Sequence, residues 1–414
     1  MPRNTVDSVI YYALIVMASS CFFTFLCEAA VRRDKSNSGE KFPVVLVPGL
    51  GGSRIYYRDK NDPSGSMHRL WLNFRHIFDI SRLIQLLSLQ YDKNTQKTID
   101  KADVEIIVPG WGDTWTIEHL DEDEYLIGAE FSAIVEELTK DPFFIRNVSV
   151  RGTPYDFRRT QNENQQVLHR MKQLVEETYE LNKQRKIVLI AHSLGTIYSL
   201  EFLKLQTAAW KSKYIKAFVS ISGPFGGTVK AANVLTSGEA FPVHIPDPFK
   251  LRNLFRTMPS VGFLLPDPRF WPVNEPIITT PEKNYTANDV QQLFTDIGFP
   301  QGYDMWLHNP KQSDYLEGPE NVENVYCIYG TQLQTLEKMV YLPQGIFRKP
   351  FPDQIPTHVY GNGDGTVNLR SLQVCNKWPN VALTELPGAR HLETLQDKRL
   401  LKLINEITGA KSSQ

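Results

Sequence analysis

Ser193 stands between two small residues, Ala191 and Gly195, each two positions away. The β-branched run Lys186-Ile187-Val188-Leu189-Ile190 precedes it and reads as a buried strand, and Thr196 to Leu205 reads as a helix. A strand, a sharp turn and a helix lift a hydroxyl above a sheet edge; bulky residues at the flanking positions would collide with both elements. A serine hydroxyl is not nucleophilic at its own pKa. It needs a neutral imidazole to take its proton and a carboxylate to orient that imidazole. Both occur downstream, in the order acid then base. Asp364 lies in the Gly-flanked run Tyr360 to Val367, and His391 ends the strand-and-turn run Thr384 to His391. Each alone reads as a turn former or a capping group; together, behind a strand–turn–helix serine, they read as a catalytic set. His358 and Asp353 are the alternatives for base and acid. The His192 side chain is expected to point away from Ser193.

Acyl transfer also needs two backbone N–H groups aimed at the developing oxyanion. The residue after the nucleophile, Leu194, supplies one. The Gly-rich run Val47 to Ser53 follows an early strand and supplies the other, at Leu50. That run has the glycines of a phosphate loop, but no Gly-Lys-Ser/Thr follows, which argues against nucleotide binding.

These residues need a sheet whose strand ends converge. Strand, helix and the strand Ala217 to Ile221 make a βαβ unit and hence a parallel sheet. Further strands are expected at Phe42 to Val47, Asn324 to Tyr329 and Val381 to Leu386. Apolar residues at 70, 74, 77, 80, 84, 87 and 91 have helical spacing, so Leu70 to Tyr91 is expected to be a helix. Helices are also expected over Asp121 to Lys140, Glu163 to Gln184 and Leu392 to Ile407. Phe241 to Pro281, rich in proline and aromatics, reads as an insertion outside the sheet. Strand–turn–helix serine and chain order together give the fold class: an α/β-hydrolase with a mainly parallel sheet, over residues 42–410.

Composition narrows the partners. Lys+Arg is 45 against Asp+Glu 46, so no basic excess exists to hold a polyanion, and nucleic acid is not an expected partner. The four cysteines include no C-x-x-C pair, and neither a metal nor a cofactor is expected. Val9 to Leu26 carries no charge and is followed by Ala29, Ala30, Arg32 and Arg33, which reads as a signal peptide over residues 1–29, with a retained signal anchor as the alternative. The rest is then lumenal or extracellular. Asn147 and Asn284 head glycosylation sequons. Cleavage would remove Cys21 and Cys27, leaving Cys327 and Cys375, a pair expected to be bridged in an oxidising lumen. Closing that loop would stabilise the fold by about 3–4 kcal/mol.

Several stretches resemble the lecithin:cholesterol acyltransferase family: Val44 to Gly49, Arg151-Gly152-Thr153-Pro154-Tyr155-Asp156-Phe157-Arg158-Arg159, Ala191 to Gly195, Gly223-Pro224-Phe225-Gly226-Gly227, Asp364 to Asn368, and His391. The likeness covers roughly residues 42–408, and its motifs share one order. It implies a Ser193, Asp364 and His391 triad, oxyanion donors at Leu50 and Leu194, and a Cys327–Cys375 bridge. It implies a lid or membrane-binding insertion at about 57–115, with Trp71, Leu72, Leu86 and Leu87 on lipid, and a cap at about 229–320. Lys230, which follows Gly226-Gly227-Thr228-Val229 close in sequence to the site, is a candidate for contact with a headgroup phosphate or an active-site carboxylate, with a solvated surface lysine as the alternative. The family usually closes a loop near residues 58–90 with a second disulfide, and this chain has no cysteine there. The implied partners are a phospholipid membrane or lipoprotein surface and a lipid acyl acceptor, in a lysosome or outside the cell. The implied activity is removal of an acyl chain from a glycerophospholipid. A secreted phosphatidylcholine-sterol acyltransferase, a neutral-lipid lipase and a catalytically dead lipid carrier are the alternatives.

Overall fold

The computed structural model describes residues 39–73, 80–100, 103–121, 128–239 and 248–411. The expected signal peptide, with Cys21 and Cys27, lies outside them. From Lys41 onward the chain is organised around one six-stranded sheet. Its strands in chain order are β1 (Val44–Val47), β2 (Val150–Gly152), β3 (Ile187–His192), β4 (Ile215–Ile221), β5 (Asn324–Thr331) and β6 (Val381–Pro387). Their order across the sheet is β6-β5-β4-β3-β1-β2, and every pairing is parallel. Parallel strands buried on both faces need apolar residues at every position. β1 and β3 meet that need, with Val45, Val47, Leu189 and Ala191 in the core on one face and Val44, Leu46, Val188 and Ile190 in the core on the other.

Helices cover both faces. Gln165–Leu181 and Leu194–Lys204 pack on one, Ser132–Thr139 and Lys398–Thr408 on the other. All six strands run the same way, so their C-terminal ends share one edge, where an open α/β sheet holds its ligand.

Three expectations are corrected here. Leu70 to Tyr91 is not one helix. His68–Trp71 is a strand, Ile80–Leu87 a helix and Leu89–Asp92 another strand, with residues 74–79 outside the described set. Leu70 is buried between the half-buried Arg69 and Trp71, which is strand alternation, and the strand pairs with Ile55–Asp59. The helix expected over Asp121 to Lys140 is confined, among described residues, to Ser132–Thr139. The last helix starts at Lys398, not Leu392; Glu393–Gln396 is a 3-10 turn, and the Asp397 carboxylate caps the helix by accepting from the Arg399 amide at 2.8 Å.

Several elements were absent from the sequence reading, among them the sheet strand Val150–Gly152 and the hairpin that precedes Asp364. Leu333–Val340 and Thr357–Gly363 form an antiparallel hairpin, and Asp364 follows its second strand directly. Cys327 and Cys375 are disulfide-bonded with a Cα separation of 6.3 Å, tying β5 to the segment behind Asp364.

Candidate active site

Ser193 sits between β3 and the helix Leu194–Lys204 with φ 50° and ψ −126°, a conformation L-residues rarely adopt. Close packing enforces the turn. A Cβ on Gly195 would lie 2.4 Å from the carbonyl oxygens of both Val47 and Pro48, so only glycine fits there. A Cβ on Gly49 would lie 2.9 Å from the Ser193 Cβ, so the Gly-rich loop passes directly against the nucleophile. The structure thus brings Leu50 and Leu194 to the serine. Leu50 lines the adjoining cavity, and Leu194 opens a helix, where first-turn N–H groups have no intrahelical partner.

The two downstream residues converge on this turn. Ser193 Oγ lies 2.9 Å from His391 Nε2, and His391 Nδ1 lies 2.7 Å from Asp364 Oδ2. The other Asp364 oxygen accepts from the amides of Thr366 and Val367 at 3.0 and 2.7 Å. The His391 amide donates to the Asp364 carbonyl at 2.9 Å, so the base is tied to the acid through backbone as well as side chain. Asp364 is fully buried. With Nδ1–H donated to the carboxylate, Nε2 is left to accept the serine proton. The alternatives are not assembled here: Asp353 pairs with Arg252 at 2.7 Å, and the His358 imidazole lies against Tyr360 on the hairpin.

A further layer supports this line, and it was missed from sequence. The buried His192 ring directs both nitrogens to partners other than the Ser193 hydroxyl. Its Nδ1 is 2.9 Å from Glu130 Oε1, and its Nε2 is 3.1 Å from the His391 carbonyl oxygen. Both nitrogens face oxygens, so His192 donates twice or Glu130 itself carries a proton. Glu130 Oε1 also accepts from the Gly49 amide at 3.4 Å. One buried carboxyl therefore links the Gly-rich loop, the turn histidine and the base.

Tyr155 braces the same loop from the other side. Its hydroxyl donates to the Pro48 carbonyl at 2.9 Å and its amide to Ser53 Oγ at 3.1 Å. Burial pushes its phenol well up, which keeps the hydroxyl a donor. Beyond it, Arg158 is fully buried and donates to Asp156 at 2.7 Å and Asp100 at 2.8 Å. Burial alone would raise the Asp156 carboxyl, but Arg158 and Arg159 outweigh it and hold it below the usual carboxylate value. The run Arg151 to Arg159 is thus a brace rather than a catalytic segment. Its residues were visible in the sequence, and the lone tyrosine among charges was the available signal.

Ser193, His391 and Asp364 open onto a cavity of about 340 Å³ lined by Leu50, Val234, Phe255, Val261 and Leu264. Its size and apolar walls suit an aliphatic chain with one polar reacting end. Lys230 reaches the same cavity.

The residues expected on lipid are corrected. Leu72, Leu86 and Leu87 are core, the last two joining the main hydrophobic cluster. The apolar stripe of Ile80–Leu87 faces inward because burying each leucine gains about 1.5–3 kcal/mol. Trp71 is half-buried, donates from its indole to the Gly51 carbonyl at 2.8 Å and packs on Phe157. Among the described residues of this cysteine-free region, Ile55–Asp59 and His68–Trp71 are joined with Val104–Ile107 in a three-stranded sheet. The sequon residues Asn147 and Asn284 are both exposed.

A parallel sheet with a strained serine at a strand end, a histidine and a buried aspartate defines a serine-dependent α/β-hydrolase. The chain belongs to the lecithin:cholesterol acyltransferase family, whose family model matches residues 67–398. It is similar to the lysosomal phospholipase A and acyltransferase of Canis lupus familiaris, at 36% identity over 388 residues, covering 89% of this chain and 92% of that one. It is also similar to the phosphatidylcholine-sterol acyltransferase of Gallus gallus, at 32% identity over 379 residues, covering 87% and 89%.

Proposed function

We propose that this protein removes a fatty acyl chain from a glycerophospholipid and passes it to water or a lipid alcohol through an ester on Ser193. One observation carries the reading: the hydrogen-bonded line Ser193–His391–Asp364 at the mouth of an apolar cavity. Ser193 Oγ attacks the ester carbonyl while His391 Nε2 takes its proton. The carbonyl oxygen becomes an oxyanion held by the Leu50 and Leu194 amides. Collapse breaks the ester bond, and His391 returns the proton to the leaving lysophospholipid oxygen. The acceptor then repeats the sequence in reverse and frees the serine. Asp364 orients the imidazole and stabilises its charged form. Lys230 is a cationic residue of the cavity, as is Arg390, and is our candidate for a headgroup phosphate.

The names of the relatives support a lipid substrate, and those named lysosomal support a lysosomal setting; a cleaved signal segment at residues 1–29, glycans at Asn147 and Asn284, and insertions at about 57–115 and 229–320 fit a lumenal or extracellular enzyme. Among the described residues no helix is long and apolar enough to cross a membrane. The avian relative keeps sterol esterification as the second reading. The test is acyl release from phosphatidylcholine vesicles containing ceramide or cholesterol, followed across pH. Free fatty acid or acylceramide at acidic pH is the expected product. Cholesteryl ester dominating at neutral pH would favour the second reading, and no lysophospholipid at any pH would contradict both.

A further inference from the structure

The hairpin ahead of Asp364 carries the most exposed apolar residues among those described. Ile346 is 95% exposed and Phe347 102%. They are the two central residues of a tight turn, because the Gly345 and Arg348 amides and carbonyls bond each other at 3.0 and 3.2 Å. Such tips are ordinarily Asn, Asp or Gly, chosen for backbone freedom. Neither Ile346 nor Phe347 has a positive φ, so turn geometry gives no reason for these residue types. Isolated in water, two such side chains gain nothing for the fold.

The turn is held rather than loose. The Gln354 amide donates to the carbonyls of Leu342 and Lys349 at 2.8 and 2.9 Å, and Arg252 ties the loop base to a helix through Asp353 at 2.7 Å. Pro343, Pro350 and Pro352 stiffen it further. Arg348 and Lys349, both exposed, follow the apolar pair directly, while the nearby Asp353 is already paired. The helix bonded to the loop, Pro248–Arg256, carries Phe249 beside Ile346 and Phe347 and carries Phe255 into the catalytic cavity. Six residues of helix separate these phenylalanines by about 9 Å.

We propose that this tip is a membrane anchor: Ile346 and Phe347 enter the acyl boundary of a bilayer while Arg348 and Lys349 lie among anionic headgroup phosphates. An apolar pair backed by cations is the chemistry of an interfacial contact. Its nearness to the cavity delivers substrate from the surface it grips. The inference deepens the phospholipid reading and rests on it, but binding and turnover fail separately.

The test uses the full chain carrying Ser193→Ala, so that vesicles stay intact. Sedimentation with phosphatidylcholine vesicles, with and without phosphatidylglycerol, is compared for Ile346→Ser/Phe347→Ser and Arg348→Gln/Lys349→Gln. The apolar pair change lowers the bound fraction about tenfold on both vesicles. The cation change removes only the gain from phosphatidylglycerol. With Ser193 restored, the ratio of vesicle turnover to soluble short-chain ester turnover falls about tenfold in the apolar pair variant. Undiminished vesicle binding by that variant overturns the anchor and leaves the tip to a protein surface. Tip-dependent binding without acyl release overturns the phospholipid reading alone.

Discussion

The strand ends around Ser193 and the tip at Ile346–Phe347 invert the ordinary distribution of side chains in opposite ways. The first buries polar groups and the second exposes apolar ones. At the strand ends the buried groups that hold the site have internal partners: Asp364 meets two amides and an imidazole, and His192 meets Glu130 and the His391 carbonyl. At the tip the Ile346 and Phe347 side chains stand in solvent, although backbone bonds between Gly345 and Arg348 and the Gln354 amide hold the turn beneath them. Satisfied burial fixes geometry for chemistry. Unsatisfied exposure points to a partner outside the chain.

Substitutions can break this contrast. Ser193→Ala has the largest expected effect, a fall in kcat of about 10⁴-fold or more with folding intact, read by lysophospholipid release and thermal unfolding. Asp364→Asn follows at about 10³–10⁴-fold, because it favours the wrong imidazole tautomer. Near-normal turnover would remove Asp364 from the mechanism. Glu130→Ala cuts the link from the Gly49 amide to His192, and kcat falls about 10–100-fold with KM little changed. Glu130→Gln restores much of that rate, since an amide can still bond His192; equal losses in both variants would show that the bond does not matter. Leu86→Ala lowers stability by about 2–5 kcal/mol in chemical denaturation, without changing vesicle binding of the folded fraction. The smallest stability effect belongs to Ile346→Ser/Phe347→Ser, within about 0.5 kcal/mol. Should the tip variant unfold early, or the leucine variant lose vesicles while folded, the roles of the two regions would be reversed.

What was legible in the sequence follows the same division. β3 is a β-branched run, Ser193 follows it, and Asp364 and His391 come later in order, so local pattern and chain order located the chemistry. The Glu130–His192 link was not legible. Its members are 62 positions apart, and no spacing rule joins a residue before one strand to a residue at the end of another. The hairpin was missed because its second strand, Thr357–Gly363, is largely exposed and glycine-rich, giving no apolar alternation. The leucines at 72, 86 and 87 were misassigned for a related reason. An apolar stripe looks the same whether it meets a core or a membrane, and only the neighbouring strand and helix decide between them.

The central claim is that Ser193 carries the acyl group. A fluorophosphonate probe followed by peptide mass analysis tests it most directly. The account predicts one adduct, on the peptide holding Ser193, and loss of both labelling and phospholipid turnover in Ser193→Ala. An adduct on another residue, or a Ser193→Ala protein that still labels and releases lysophospholipid, would contradict it.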